Sequence, residues 1–246
     1  MIPYERRIRI VHELKKREFL SLNELMEIFQ DVSASTLRRD LKSLNEDGQI
    51  DLIQGGAAIR IFSTFDSPIS SRSIVNIEAK DKIAKYAASL VKENDVVYID
   101  TGTTALSLMK YLASKKIIIV TTNVWLLNHL QGAVASCIVA GGEVNKETAS
   151  ITGPQAEEAL RQMFFDIAFL GTSGVDAIAG INTGDIREAS IKRIVKGNAA
   201  KTYVLADSSK IGVASMYKAF EIGDCVIITE KRHDLLQKAG NYLIAE

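Results

Sequence analysis

Cysteine is nearly missing from this chain of 246 residues: Cys137 and Cys225 stand in apolar, strand-like contexts without CxxC spacing or a nearby histidine. That argues against a disulfide framework and a thiolate metal cluster, and reads most simply as two buried thiols. Histidine is equally sparse. His12, His129 and His233 are scattered without carboxylate or thiol partners at ligand spacing, so neither a metal nor a cofactor is expected. No apolar run approaches membrane-spanning length, and the opening M-I-P-Y-E-R-R-I is charged too early for a secretory signal, which points to a cytoplasmic protein with no membrane partner. Net charge is lacking too. Thirty basic and thirty acidic residues cancel, which excludes bulk polyelectrolyte binding but permits a local charged face. What is plentiful is apolar surface: 47% of the chain is hydrophobic, enough for one small and one medium domain, each with its own core.

The most informative stretch is residues 32–57, V-S-A-S-T-L-R-R-D-L-K-S-L-N-E-D-G-Q-I-D-L-I-Q-G-G-A. Leu37, Leu41 and Leu44 recur at spacings of four and three, which places them on one stripe of a helix facing a core. Ser35, Arg39, Lys42 and Glu46 then point outward, with Thr36 and Arg38 on the flanks. A recognition helix offers its amino-terminal half to the major groove, where Arg pairs with guanine and hydroxyls contact bases or phosphates. Ser33, Ser35, Thr36, Arg38, Arg39 and Lys42 are therefore the candidate DNA-contacting residues. Upstream, Ser21 and Glu24 have the spacing of a capping box opening a short apolar helix, and Ser33 is placed to cap the next one. Gly48 suits the position that ends the recognition helix, and the alternation of residues 50–53 before Gly55-Gly56 predicts a wing hairpin. An ordinary three-helix bundle with a surface Arg pair would show the same amphipathic face. Residues 1–60 carry ten basic and ten acidic side chains, so attraction to phosphate must come from local groups: Arg6/Arg7, residues 15–17 and residues 38–42.

Residues 61–77 are rich in serine, contain Pro68 and sustain no period, which reads as an interdomain connection lying against a domain surface. From residue 78 to 246 the pattern alternates helix and strand. Short β-branched runs without polar alternation, V-V-Y-I-D, I-I-I-V-T, C-I-V-A, I-A-F-L-G, T-Y-V-L-A-D and V-I-I-T, predict a mostly parallel sheet covered on both faces, hence an α/β domain. Helices are expected over 104–112, 124–130, 155–164 and 188–199.

Polar residues collect just beyond the carboxyl ends of these strands, where such sheets bind ligands. They are Asp100, Thr101, Gly102, Thr103 and Thr104; then Thr122 and Asn123; Gly141 and Gly142; Gly171, Ser173 and Gly174; and Asp207 and Lys210. The D-T-G-T-T turn suits a phosphate, with Lys210 or Lys192 supplying charge and Asp100, Asn123, Glu188 and Asp207 available to sugar hydroxyls. Glycine and threonine are common in plain βα loops, so recurrence at successive strand ends is the signal.

The run S-T-L-R-R-D-L-x-x-L-x-x-x-G-x-I, ending in G-G-A, resembles the amino-terminal signature of DeoR-type bacterial transcription regulators. Gln54 stands where that family usually has His before the two glycines, which bears on wing contacts. The second half resembles the family's sensor domain over nearly all of residues 78–229, through I-D-T-G-T-T, V-T-T-N, A-G-G-E, I-T-G-P, A-F-L-G-T-S-G, R-E-A-S-I-K and L-A-D-S-S-K. The resemblance implies a winged helix-turn-helix followed by a fold similar to ribose-phosphate isomerases. It also implies operator DNA and a phosphorylated sugar as partners, and self-association as a dimer or tetramer. Two functions follow: a regulator, usually a repressor of carbohydrate genes, or a phosphosugar isomerase with a DNA-binding appendage. Glu188 with Lys192 or Asp207 has the acid–base types isomerisation needs, and the same groups can hold a sugar without chemistry.

Overall fold

The computed structural model describes residues 2–17, 19–46, 49–53, 55–59 and 69–246. The chain divides into two compact units, residues 1–65 and 66–246. In the first, α1 (Pro3–Arg17), β1 (Phe19–Ser21), α2 (Leu22–Ile28) and α3 (Ala34–Glu46) lead into the antiparallel strands β2 (Ile50–Ile53) and β3 (Gly56–Ile59). The capping box at α2 is formed in both directions, Ser21 Oγ accepting from the Glu24 amide and Glu24 from the Ser21 amide. β1 completes a three-stranded sheet with β3 in the middle. Glycine is required at position 56, because a Cβ there would lie 2.3 Å from the Leu20 carbonyl oxygen. Ile10, Leu14, Leu20, Leu25, Phe29, Leu37, Leu41, Leu44 and Ile50 make one core, the expected leucine stripe among them. This is a winged helix-turn-helix. The helix-ending role expected of Gly48 and the wing role of Gln54 lie outside the described residues.

The second unit opens with α4 (Ile69–Ser73), so the part of the 61–77 stretch that is described folds against this unit: Ile69 is buried and its amide donates to the Glu147 carbonyl at 2.9 Å. The elements that follow are α5 (Ile77–Ser89), β4 (Val96–Ile99), α6 (Thr103–Ser107), α7 (Met109–Leu112), β5 (Ile118–Thr121) and β6 (Ser136–Val139). Next come β7 (Glu143–Asn145), β8 (Ser150–Thr152), α8 (Pro154–Arg161), β9 (Phe165–Gly171), β10 (Gly174–Asp176) and β11 (Gly180–Thr183). The last are α9 (Ile186–Asn198), β12 (Ala199–Leu205), β13 (Tyr217–Phe220), β14 (Val226–Thr229), α10 (Asp234–Ala239) and β15 (Tyr242–Ile244).

Seven strands form one parallel sheet in the order β15-β14-β12-β9-β4-β5-β6. Successive residues of β9 enter opposite cores: Ala168 and Leu170 pack with α8 and α9, whereas Ile167 and Phe169 pack with α5, α6 and α7. Burial on both faces explains the continuous apolar runs. The helix expected over 104–112 is split into α6 and α7, and the one near 124 is a 3-10 turn, Val124–His129. Antiparallel β10, β11 and β13, with the β7–β8 hairpin, are additions to the expected pattern. Cys137 is half-buried on the edge strand β6 and Cys225 is buried, which pushes the latter's thiol up to about 12. Among the described residues, no helix is long and apolar enough to cross a membrane.

Candidate functional site

In the first unit, Arg38, Arg39 and Lys42 are exposed on α3, opposite the buried stripe, with the Lys42 ammonium 3.9 Å from Glu46. The Ser33 hydroxyl accepts from the Thr36 amide at 3.3 Å, and lies 3.0 Å from the Ser35 hydroxyl and 2.9 Å from that of Thr36. The candidate contacts thus lie together at the start and outer face of one helix. Arg6 belongs elsewhere. Its guanidinium donates to the Asp40 carboxylate at 2.5 and 3.3 Å, and both residues are buried. Asp40 falls three residues after Leu37, on the inward side of α3, so its charge needs a partner inside. The attraction to phosphate expected of Arg6 is therefore spent on Asp40, and Arg7 donates to Ser43 Oγ at 2.6 Å.

In the second unit, the carboxyl ends of β4, β5 and β9 carry a buried polar network. The Lys192 ammonium on α9 donates to the Asp100 carboxylate, and each side chain is 3% exposed. The same carboxylate oxygen accepts from the Gly171 amide at 2.9 Å. A Cβ at position 171 would meet the Thr101 carbonyl at 2.8 Å, so this strand end needs glycine for close approach. Asn123 donates to the Asp100 carbonyl at 3.4 Å and accepts from the Trp125 amide at 3.0 Å. Thr122 and Tyr98 share a hydroxyl contact at 2.9 Å, and Glu188 accepts from Thr183 at 3.1 Å. Burial, with the Asp100 and Glu188 carboxylates nearby, pushes the Tyr98 phenol well above its ordinary range, so it acts as a neutral hydroxyl.

Beside this network lies a second cluster built around Lys80 of α5. Lys80 is 6% exposed and donates to the Arg72 carbonyl at 2.5 Å; the Thr103 hydroxyl reaches that carbonyl at 3.5 Å. Burial pulls the Lys80 ammonium down to about 8; Asp207 opposes the shift, and the like charges of Lys210 and Arg72 add to it. The Asp207 carboxylate accepts from Asn76 Nδ2 at 3.0 Å and from the Ser209 amide and hydroxyl at 3.1 and 2.5 Å. Asn76 adopts a left-handed backbone, φ 53°, at the start of α5. Charged groups from α4, α5 and the end of β12 therefore meet next to the D-T-G-T-T turn. Lys80, Arg72 and Asn76 were not among the residues singled out from sequence. Lys80 had a readable signal, because it shares the apolar stripe of Ile83, Ala84 and Ala87, where a lysine is out of place.

The other candidates have these surroundings. Thr101 is buried, and Gly102, Thr103 and Thr104 are half-buried at the opening of α6, with Gly102 at φ 114°. A Cβ at Gly174 would meet the Val213 carbonyl at 2.1 Å, and one at Gly142 the Thr152 carbonyl at 2.5 Å, so both glycines have a packing reason. A Cβ at Gly141 would meet nothing within 4 Å, and the Ser173 amide bonds the Asn182 carbonyl at 3.0 Å. Of the two lysines considered for charge, Lys192 is matched by Asp100, whereas Lys210 is half-buried in the Lys80 cluster.

Comparisons with known proteins agree with both halves. Residues 6–60 match the DeoR-like helix-turn-helix domain model and residues 75–231 the DeoR C terminal sensor domain model. Among curated relatives, the uncharacterized HTH-type transcriptional regulator FruR of Bacillus subtilis is 36% identical over 236 residues, covering 96% of this chain and 94% of its own length. The transcriptional repressor AccR of Agrobacterium fabrum is 33% identical, with 92% and 89% covered. Among solved structures, ribose 5-phosphate isomerase A of Methanocaldococcus jannaschii is 23% identical over 55% of each chain, with a TM-score of 0.41.

Proposed function

Because the chain belongs to the DeoR-type family of helix-turn-helix transcriptional regulators, we propose that it represses a carbohydrate-metabolism operon and that a phosphorylated sugar sets its operator affinity. The observation that carries this reading is Lys80, a buried lysine beside Lys210, Arg72 and the D-T-G-T-T hydroxyls. A cation-rich, partly buried site lined by hydroxyls suits a dianionic phosphate, since charge-assisted hydrogen bonds are the strong ones. Asp100, Thr101, Gly102, Thr103, Thr104, Thr122, Asn123, Gly141, Gly142, Gly171, Ser173, Gly174, Glu188, Lys192, Asp207 and Lys210 remain the proposed effector set, with Lys80 added. Ser33, Ser35, Thr36, Arg38, Arg39 and Lys42 are the proposed operator contacts.

One recognition helix reads few base pairs, so the working form is a symmetric dimer or tetramer in the cytoplasm, placing helices on repeated half-sites. The protein is a sensor without turnover. Glu188, Lys192 and Asp207, the groups isomerisation would call on, hold protein partners that suit them to binding and orientation. A calorimetric panel of phosphosugars and their unphosphorylated counterparts, each also assayed for conversion, tests the reading. Binding of a phosphosugar without conversion is expected. Preference for a neutral sugar, or conversion at about 1 per second or faster, would overturn it.

A further inference from the structure

The side chain of Arg72 carries an observation that the effector set leaves unused. Its Nε is buried and has no hydrogen-bond partner among the described residues. A buried guanidinium N–H left unmatched is costly, and native proteins almost always satisfy such donors. Its surroundings are cationic: Lys80 lies close enough for Arg72 and Lys210 to depress its ammonium, while the nearby Asp207 carboxylate oxygen is engaged by Asn76 and Ser209. An orphan donor within an excess of partly buried positive charge fits an anion, and a guanidinium suits a phosphate better than an ammonium because its fork binds two oxygens.

Arg72 also differs from the rest of the set in where it sits. It belongs to α4, the first described helix after the boundary between the two units, whereas the other groups lie on α5, α6 or α9 or at strand ends. Among the described residues, backbone hydrogen-bond ties hold α4 to its own unit at two places, beside the buried Ile69 side chain. The Ile69 amide is tied to Glu147, and the Arg72 carbonyl accepts from Lys80 and Thr103. The second tie runs through Lys80 and Thr103, which are themselves effector candidates.

We propose that Arg72 is an anion-binding residue of the effector site, and that its grip on the ligand phosphate fastens α4, the segment next to the DNA-reading unit in the chain. This rests on the effector-site reading above. Occupancy then acts on the connection directly: a ligand held by Arg72 favours the states in which α4 is docked, and a docked α4 favours the ligand by the same factor.

The test uses the full-length protein with inorganic phosphate as the probe. Phosphate affinity is read by calorimetry, and backbone amide exchange across 69–73 by mass spectrometry at phosphate saturation. The expected result is slower α4 exchange in the wild type. Arg72→Ala should weaken phosphate binding about tenfold or more and lose the α4 slowing even at saturation. Lys210→Ala should weaken binding but keep the slowing once saturated. Should Arg72→Ala fold poorly, Arg72→Lys keeps the charge without the fork and should still lose severalfold in affinity. Wild-type affinity in a folded Arg72→Ala or Arg72→Lys protein overturns this inference alone, as does α4 exchange indifferent to bound phosphate. A wild type that binds neither phosphate nor any phosphosugar overturns the effector-site reading and this inference with it.

Discussion

Lys192 and Asp100 form an ion pair with both side chains 3% exposed, joining the middle of α9 to the end of β4. Taking either partner away removes the ion pair that holds a buried charge. Asp100→Ala should therefore lower stability by about 3–5 kcal/mol, read as a shift in the urea midpoint of the second unit. The double variant Asp100→Leu/Lys192→Met removes both charges and should recover most of that loss. Equal loss in the single and double variants would mean that the pair's charge is not what matters.

Arg6 and Asp40 tie α1 to α3 in the same way inside the first unit. Asp40→Ala should destabilise that unit by about 3 kcal/mol while the second unit keeps its own transition. Two-phase denaturation followed by circular dichroism separates the two.

The exposed arginines of α3 should divide their roles. Arg39→Ala is expected to cost roughly 1–3 kcal/mol at the operator and relax discrimination at one base pair. Arg38→Ala, on the flank, should weaken all sequences alike and reduce the salt slope by about one. Gel-shift titrations of wild-type and scrambled operators at several salt concentrations check both. Unchanged affinity in both folded variants would reject the assignment.

With Lys80 in the proposed effector site, binding should depend on pH. Its ammonium loses its proton near 8, and a phosphate favours the charged form, so affinity should be highest below pH 8 and fall as pH rises through it. The ligand's own second ionisation, near 6, is complete by then. The facing groups Asp207, Lys210 and Arg72 are unchanged in Lys80→Met, so that variant isolates the effect and should flatten the profile. Stability of the unliganded protein should move the other way. The unfolded chain binds the extra proton between about 8 and 10.5, so the folded state gains as pH rises through that window. Calorimetry and urea unfolding across pH 7–10 would reveal both slopes.

The recognition helix was legible because its stripe and polar face obey one helical period, and the parallel sheet because its strands are apolar on both faces. The polar strand ends were legible as a group, and the structure brings Asp100, Asn123, Gly171 and Lys192 together there. Asp40 has the spacing of an inward residue, three after Leu37, but its partner could not be read, because Arg6 lies far away in sequence until the fold brings it against that carboxylate. Arg72 lay in a serine-rich stretch without a period, and only the tertiary fold brings it to Lys80 and Thr103. β15 is three residues long and pairs at the sheet edge, too short to show a pattern of its own.

If one chain couples a phosphosugar site to operator affinity, the coupling must be reciprocal. Operator affinity of the full-length protein is measured with and without a saturating phosphosugar, and affinity for that phosphosugar with and without saturating operator. The same factor is expected in both directions, corresponding to roughly 1–3 kcal/mol of coupling. An operator affinity indifferent to every phosphosugar the protein binds would contradict it.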